Sequence, residues 1–221
     1  PCYKVASLEN TDHAILAAVA KTGKPVIVST GMASQAEIAE SVEVLRSNGC
    51  NDIILLKCTS NYPANPVDAN LKTIPHLSEL FDCHVGLSDH TPGVGVAVAA
   101  VALGATVIEK HFVLDRNGGE VDAEFSLEPH EIKLLVEETA RAAVAIGKVN
   151  YGATEREKAS LVHRRSLYIA KDMKAGETLN AENLRSVRPG LGLPPKYLPL
   201  LLGKQIKCDA PKGTPMSWEL L

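Results

Sequence analysis

Five times in its first 147 residues the chain passes from a short apolar run to a helical pattern, and this alternation constrains the fold more than any other feature. The apolar runs are Cys2–Ser7, Val26–Thr30, Ile53–Cys58, His84–Ser88 and Thr106–Phe112. Between them, Ser34 and Glu37 have capping-box spacing, Ile38, Val42 and Leu45 recur at helical spacing, and Gly49 ends the run. Ile15, Leu16 and Val19 do the same before Gly23, and Ala-rich Val94–Leu103 predicts a helix lying close on a sheet. Pro129 opens a last helix, in which Ile132, Leu135, Val136 and Ile146 are expected to face a core. Strands joined through helices run parallel, so five such units predict a parallel sheet.

That sheet could be open and doubly wound, or part of a closed barrel. Val107, Glu109 and His111 lie on one face of the fifth strand, and a sheet buried under helices tolerates a carboxylate and an imidazole poorly. The lumen of a barrel near its mouth accepts both. The expectation is therefore an α/β fold, a (β/α)8 TIM barrel with its last five strand–helix units in residues 1–147. Polar 148–164 reads as a linker. In 165–221 the texture changes to short strands, turns, Pro and Gly. There Ile169, Asp172, Gly176, Leu179, Glu182 and Leu184 recur 37 residues later as Ile206, Asp209, Gly213, Met216, Glu219 and Leu221. Two copies in register predict a small pseudo-twofold β-rich domain. With roughly 60 residues it has little core of its own, so docking on another surface is expected.

Composition narrows the partners. A formal net charge of −3 and the absence of a Lys/Arg run argue against nucleic acid. No segment has the length and apolarity of a membrane span or the pattern of a signal peptide. Five cysteines, with no CxxC pair and an odd one over, fit a reducing cytoplasm. The chain opens without Met on a strand, which suggests that residues before Pro1 are missing or were removed.

His90 and His111 carry the clearest chemical signal. Each ends an apolar strand near an acidic residue, and one strand–helix unit, 21 residues, separates them. Catalytic groups of β/α enzymes collect at the C-terminal ends of strands, where two such imidazoles can share one metal. The alternative is a pair of strand-end histidines, each satisfied by hydrogen bonds. His13, His76, His84, His130 and His163 read as surface or structural.

The motifs Lys4-Val5-Ala6-Ser7-Leu8-Glu9, Ser29-Thr30-Gly31-Met32, Cys58-Thr59-Ser60-Asn61-Tyr62-Pro63, Gly86-Leu87-Ser88-Asp89-His90-Thr91, Glu109-Lys110-His111-Phe112 and Arg188-Pro189-Gly190 occur in that order. As a set the chain resembles the sialic acid synthase family, which condenses phosphoenolpyruvate with N-acylated amino sugars. Ser60-Asn61-Tyr62-Pro63, the loop Asp115-Arg116-Asn117-Gly118-Gly119 with Asp122, and Arg188–Leu193 point within it to the branch that makes pseudaminic acid. Sialic acid synthases usually have Asn where Ser60 stands, and another loop after the second histidine. The resemblance implies a TIM barrel whose first three strands lie outside this sequence, followed by an antifreeze-like SAF domain (a β-clip).

It also implies roles. Lys4, Ser7, Ser29 and Ser88 match positions that bind phosphoenolpyruvate, whose phosphate and carboxylate call for cations and hydroxyl donors. Taken alone, each of these serines reads as a helix cap. Ser60 also belongs to the substrate pocket, and Glu9, Tyr62 and Asp122 match contacts to the amino sugar, with Glu9 counted among the catalytic groups. Alone, Asp122 is a turn aspartate and Tyr62 a packing residue. His90 and His111 would hold a divalent metal (Mn, Mg, Co or Zn) that polarises the sugar's aldehyde oxygen. Arg188 would reach the N-acyl group from the partner of a domain-swapped homodimer. The alternatives are an N-acetylneuraminate or legionaminate synthase, or a truncated, inactive sugar-binding fragment.

Overall fold

Strands β1 (Tyr3–Val5), β2 (Val26–Ser29), β3 (Ile53–Cys58), β4 (His84–Asp89) and β5 (Val107–Lys110) alternate with helices α1 (His13–Ala20), α2 (Gln35–Ser47), α3 (Thr73–Phe81) and α4 (Gly95–Ala102). Helix α5 (Pro129–Ile146) follows. The computed structural model describes residues 1–221 and divides into two units, Pro1–Lys148 and Val149–Leu221. Helix starts follow local chemistry: the Asp12 carboxylate accepts from the Ala14 and Ile15 amides, and Ser34 with Glu37 closes a capping box.

The five strands pair in parallel, in chain order. In a flat sheet, four gaps of about 4.8 Å would hold the edge strands roughly 19 Å apart. Yet Lys4 Nζ on β1 lies 3.4 Å from Glu109 Oε1 on β5. The sheet is therefore curled into a half-barrel, as the polar face of the fifth strand implies. Its convex side is a dry core, with Val5, Val28, Leu55, Val85 and Leu87 packed on Leu16, Val42, Leu45, Ile74 and Leu77 of the helices.

Helix α5 departs from expectation. Leu135 is buried and Ile132 half-buried, but Val136 and Ile146 are exposed. Its Ile132–Leu135 stripe packs with Ala97 and Leu127, and Val136 and Ile146 lie outside that cluster.

In the second unit, β6 (Ser166–Ile169) pairs antiparallel with β7 (Leu184–Val187), and α6 (Leu198–Leu201) completes the regular elements. The 37-residue repeat is a pseudo-twofold axis in space. Met173 and Ala210, equivalent positions, exchange two backbone hydrogen bonds of 2.9 Å. Gly176 N–H donates to Ile206 O and Gly213 N–H to Ile169 O, while the Asp209 and Asp172 carboxylates accept from the Ala175 and Lys212 amides. Repeat-related Ile169, Met173, Leu179 and Leu184 share one core with Ile206, Ala210, Met216 and Leu221. The stretch read as a linker carries its own structure: Thr154 and Glu157 form a capping box that opens a 3-10 helix over Glu155–His163. Val162 O accepts from Gly190 N–H, which ties that helix to the rest of the second unit.

Candidate active site

Strand alternation turns every second residue to the concave side, where Cys58, Ser88 and Glu109 are register partners on β3, β4 and β5. Lys4, Ser7, Ser29, Tyr62, Ser88, His90 and His111 line one cleft of about 130 Å³ at the C-terminal ends of the strands, together with Cys58 and Glu109. Glu109 joins the two edges of the half-barrel, accepting from Ser88 Oγ at 2.7 Å and facing Lys4.

The imidazoles of His90 and His111 lie with centroids 5.2 Å apart, nearly perpendicular. Tyr62 tilts over His90 at 4.3 Å, and Phe125 packs 5.0 Å from His111. His90 Nδ1 is 2.9 Å from Thr59 O. A carbonyl only accepts, so Nδ1 carries the proton and Nε2 is left as a lone-pair donor, the arrangement usual for a metal-binding histidine. Burial pushes the His111 pKa down, His90 adds to this, and the neutral form suited to ligation is favoured. For His90, burial acts downward but is outweighed by the hydrogen bonds to Cys58 and Thr59, which raise it. Two adjacent imidazoles with Asp122 Oδ2 3.7 Å from His111 Nδ1 are donors that fit a divalent cation.

Beside them stands a polar cradle with one unfilled valence. Ser29 is 2% exposed, and its hydroxyl has no hydrogen-bond partner. Such a group costs free energy unless a ligand satisfies it. Nearby, a Cβ on Gly31 would fall 2.2 Å from Ser60 Oγ and 2.7 Å from Ser7 Oγ, so only glycine lets these hydroxyls close in. Ser7 Oγ accepts from Gly31 N–H at 3.0 Å.

The remaining sequence-derived positions divide. Ser60 sits at the cradle, 3.8 Å from Cys58 Sγ. Asp122 takes a left-handed backbone (φ 66°), which aspartate tolerates, and faces His111. The Glu9 carboxylate turns back to accept from Ala6 N–H and does not line the cleft. Arg188 belongs to the second unit, exposed just after β7, in a separate cleft of about 500 Å³ with Tyr168, Lys171, Arg185 and Lys212. Glu128, His130 and Glu131 also bring three donor atoms together, but Arg116 engages both carboxylates and Glu131 caps α5.

Cys58 was not singled out from sequence as a site residue. Burial pushes its thiol up, but hydrogen bonds with His90, Ser7, Ser60 and Ser88 outweigh this and bring it down to about 7. Its place at the end of β3, equivalent to Ser88 on β4, was the available signal.

Residues 1–151 match the NeuB family, and residues 164–221 match the SAF domain. The chain belongs to the NeuB family. It is 44% identical over 211 residues to a pseudaminic acid synthase of Campylobacter jejuni, covering 96% of this chain and 62% of that protein. An N,N'-diacetyllegionaminic acid synthase of the same organism is 42% identical over 205 residues, covering 91% and 61%. The chain thus spans less than two thirds of the length of these relatives. The crystal structure of an N-acetylneuraminic acid synthetase from Leptospira borgpetersenii superposes with a TM-score of 0.67 at 37% identity, over 72% of this chain and 56% of that one. With the curled sheet, these matches identify a partial TIM barrel followed by a SAF domain. No helix is long and apolar enough to cross a membrane.

Proposed function

We propose that the chain belongs to a phosphoenolpyruvate-dependent synthase that joins phosphoenolpyruvate to an N-acetylated amino sugar and water, giving a nine-carbon 2-keto sugar acid and phosphate. The unpartnered Ser29 hydroxyl, buried in a cleft that also holds Lys4, Ser7, Ser88 and two adjacent imidazoles, is the observation that carries this reading. Lys4 offers charge to the phosphate or carboxylate, Ser7 and Ser29 offer hydroxyl donors, and Ser88 would donate once its bond to Glu109 is released. His90 and His111 would hold a divalent ion (Mn, Mg, Co or Zn), which when bound would polarise the aldehyde oxygen of the open-chain sugar. Tyr62 packs on His90 and Phe125 on His111, which fixes the faces of both imidazoles. Asp122 beside His111 and Ser60 beside Cys58 suit an acceptor rich in hydroxyl and amide groups, and Glu9 would reach it by releasing the Ala6 amide. Residues 1–147 would be the C-terminal part of the barrel and 165–221 a SAF domain that, in a cytoplasmic, domain-swapped homodimer, offers Arg188 to the partner's sugar.

The acceptor we favour is a 2,4-diacetamido-2,4,6-trideoxy-altrose, giving pseudaminic acid. Ser60, the Asp115–Asp122 loop and 44% identity to a pseudaminic acid synthase support it. Legionaminic acid chemistry is the second reading, supported by the relative at 42% identity. Phosphate release from phosphoenolpyruvate, measured with the altrose derivative, its legionaminic counterpart and N-acetylmannosamine, decides among them. We expect the highest kcat/KM with the altrose derivative, and phosphate release with none of them overturns the synthase reading for this chain.

A further inference from the structure

Asp89 and Lys110 form an ion pair of 3.0 Å with both side chains only 2% exposed. The β4–β5 register sets them opposite each other, one residue before His90 and one before His111. They alternate with Ser88 and Glu109, which face the cleft, so the pair lies on the other side of the sheet. Asp89 Oδ1 also accepts from the Thr91 amide at 2.9 Å and its hydroxyl at 2.8 Å, and Lys110 Nζ donates to Thr91 O. The backbone is therefore held at residues 89 and 91, on both sides of His90, by a side chain rooted next to His111. A buried ion pair adds little to stability over an apolar pair of equal volume, because desolvation offsets the attraction. Its consequence here is geometric.

We propose that the Asp89–Lys110 pair is a clamp setting the spacing and orientation of His90 and His111, which makes both its members positioning residues for a divalent cation. The inference rests on the reading of the two histidines as metal ligands. Removing groups that orient metal ligands weakens affinity about 10- to 100-fold. Lys110→Met alone strands a buried carboxylate, and its loss of folding would be uninformative. The double variant Asp89→Asn with Lys110→Met removes both charges, keeps an acceptor for Thr91, and fills the lysine's volume. Mn²⁺ affinity of the folded chain, read by electron paramagnetic resonance, should fall at least tenfold in the double variant. Its melting temperature should stay close to that of the unmodified chain. Without metal, the imidazole ¹⁵N spectrum should show His90 leaving its single Nδ1-protonated tautomer. Mn²⁺ binding within twofold of the original, or an unchanged imidazole spectrum, overturns the clamp. If the original chain and His111→Ala bind Mn²⁺ alike, the metal reading itself has failed. The imidazole spectrum then judges the clamp by itself.

Discussion

The two faces of the half-barrel obey opposite rules. On the convex face, Val5, Val28, Leu55 and Val85 form a continuous apolar row under the helices, and each gains free energy by leaving water. On the concave face, at the strand ends, Lys4, Ser29, Cys58, Ser88 and Glu109 are polar or ionisable, and several are buried at a cost. One sheet thus separates the residues that hold the fold from those positioned to bind. Substitutions in that apolar row should move stability, those at the concave strand ends should move ligand affinity, and the buried Asp89–Lys110 pair is the exception that acts on the cleft from the convex side.

The largest effect expected is on the concave side. His111→Ala should lower phosphate release at least about 1,000-fold, roughly 4 kcal/mol in barrier, while leaving the melting temperature little changed. Comparable turnover after chelation of divalent ions would break the assignment. Next, Leu55→Ala on the convex face should cost about 3 kcal/mol of unfolding free energy, read by urea denaturation, since Leu55 is 0% exposed. Ser29→Ala should raise the KM for phosphoenolpyruvate about tenfold, some 1.4 kcal/mol, with no loss of stability because the hydroxyl has no partner to lose. A drop in stability without a change in KM would place Ser29 with the core instead. The smallest effect belongs to Val136→Ala, on the exposed stripe of α5, where denaturation should detect a change within about 0.5 kcal/mol.

Much of this division was legible in the sequence. Period-two alternation in Val107, Glu109 and His111 separates the faces, and the Ser34–Glu37 box and Pro129 mark the starts of α2 and α5. Two histidines one unit apart mark the strand ends. The 21-residue offset that relates them also relates Asp89 to Lys110, so the buried pair was readable by the same arithmetic. Thr154 and Glu157 carry the spacing of the capping box that opens the 3-10 helix within 148–164. What pattern alone could not supply was curvature. The Lys4–Glu109 contact joins residues over 100 positions apart through closure of the sheet, and the His90–Thr59 contact depends on loop geometry after β3. The exposure of Val136 and Ile146 likewise depends on which neighbours α5 has, and an apolar stripe read from spacing does not reveal them.

The pseudo-twofold of the second unit has a consequence for how it forms. Its defining bonds, such as those between Met173 and Ala210 or Gly176 and Ile206, each close a loop of 30 or more residues. Neither copy can complete its hydrogen bonding or its core before the other arrives, and such non-local pairing slows folding. Strand pairing in the half-barrel spans comparable separations, such as Ile54 with His84, and only its helices close hydrogen bonds locally. After dilution from denaturant, the helices α1–α5 of the half-barrel should therefore appear before either sheet. The symmetric unit should follow as one late, all-or-none step.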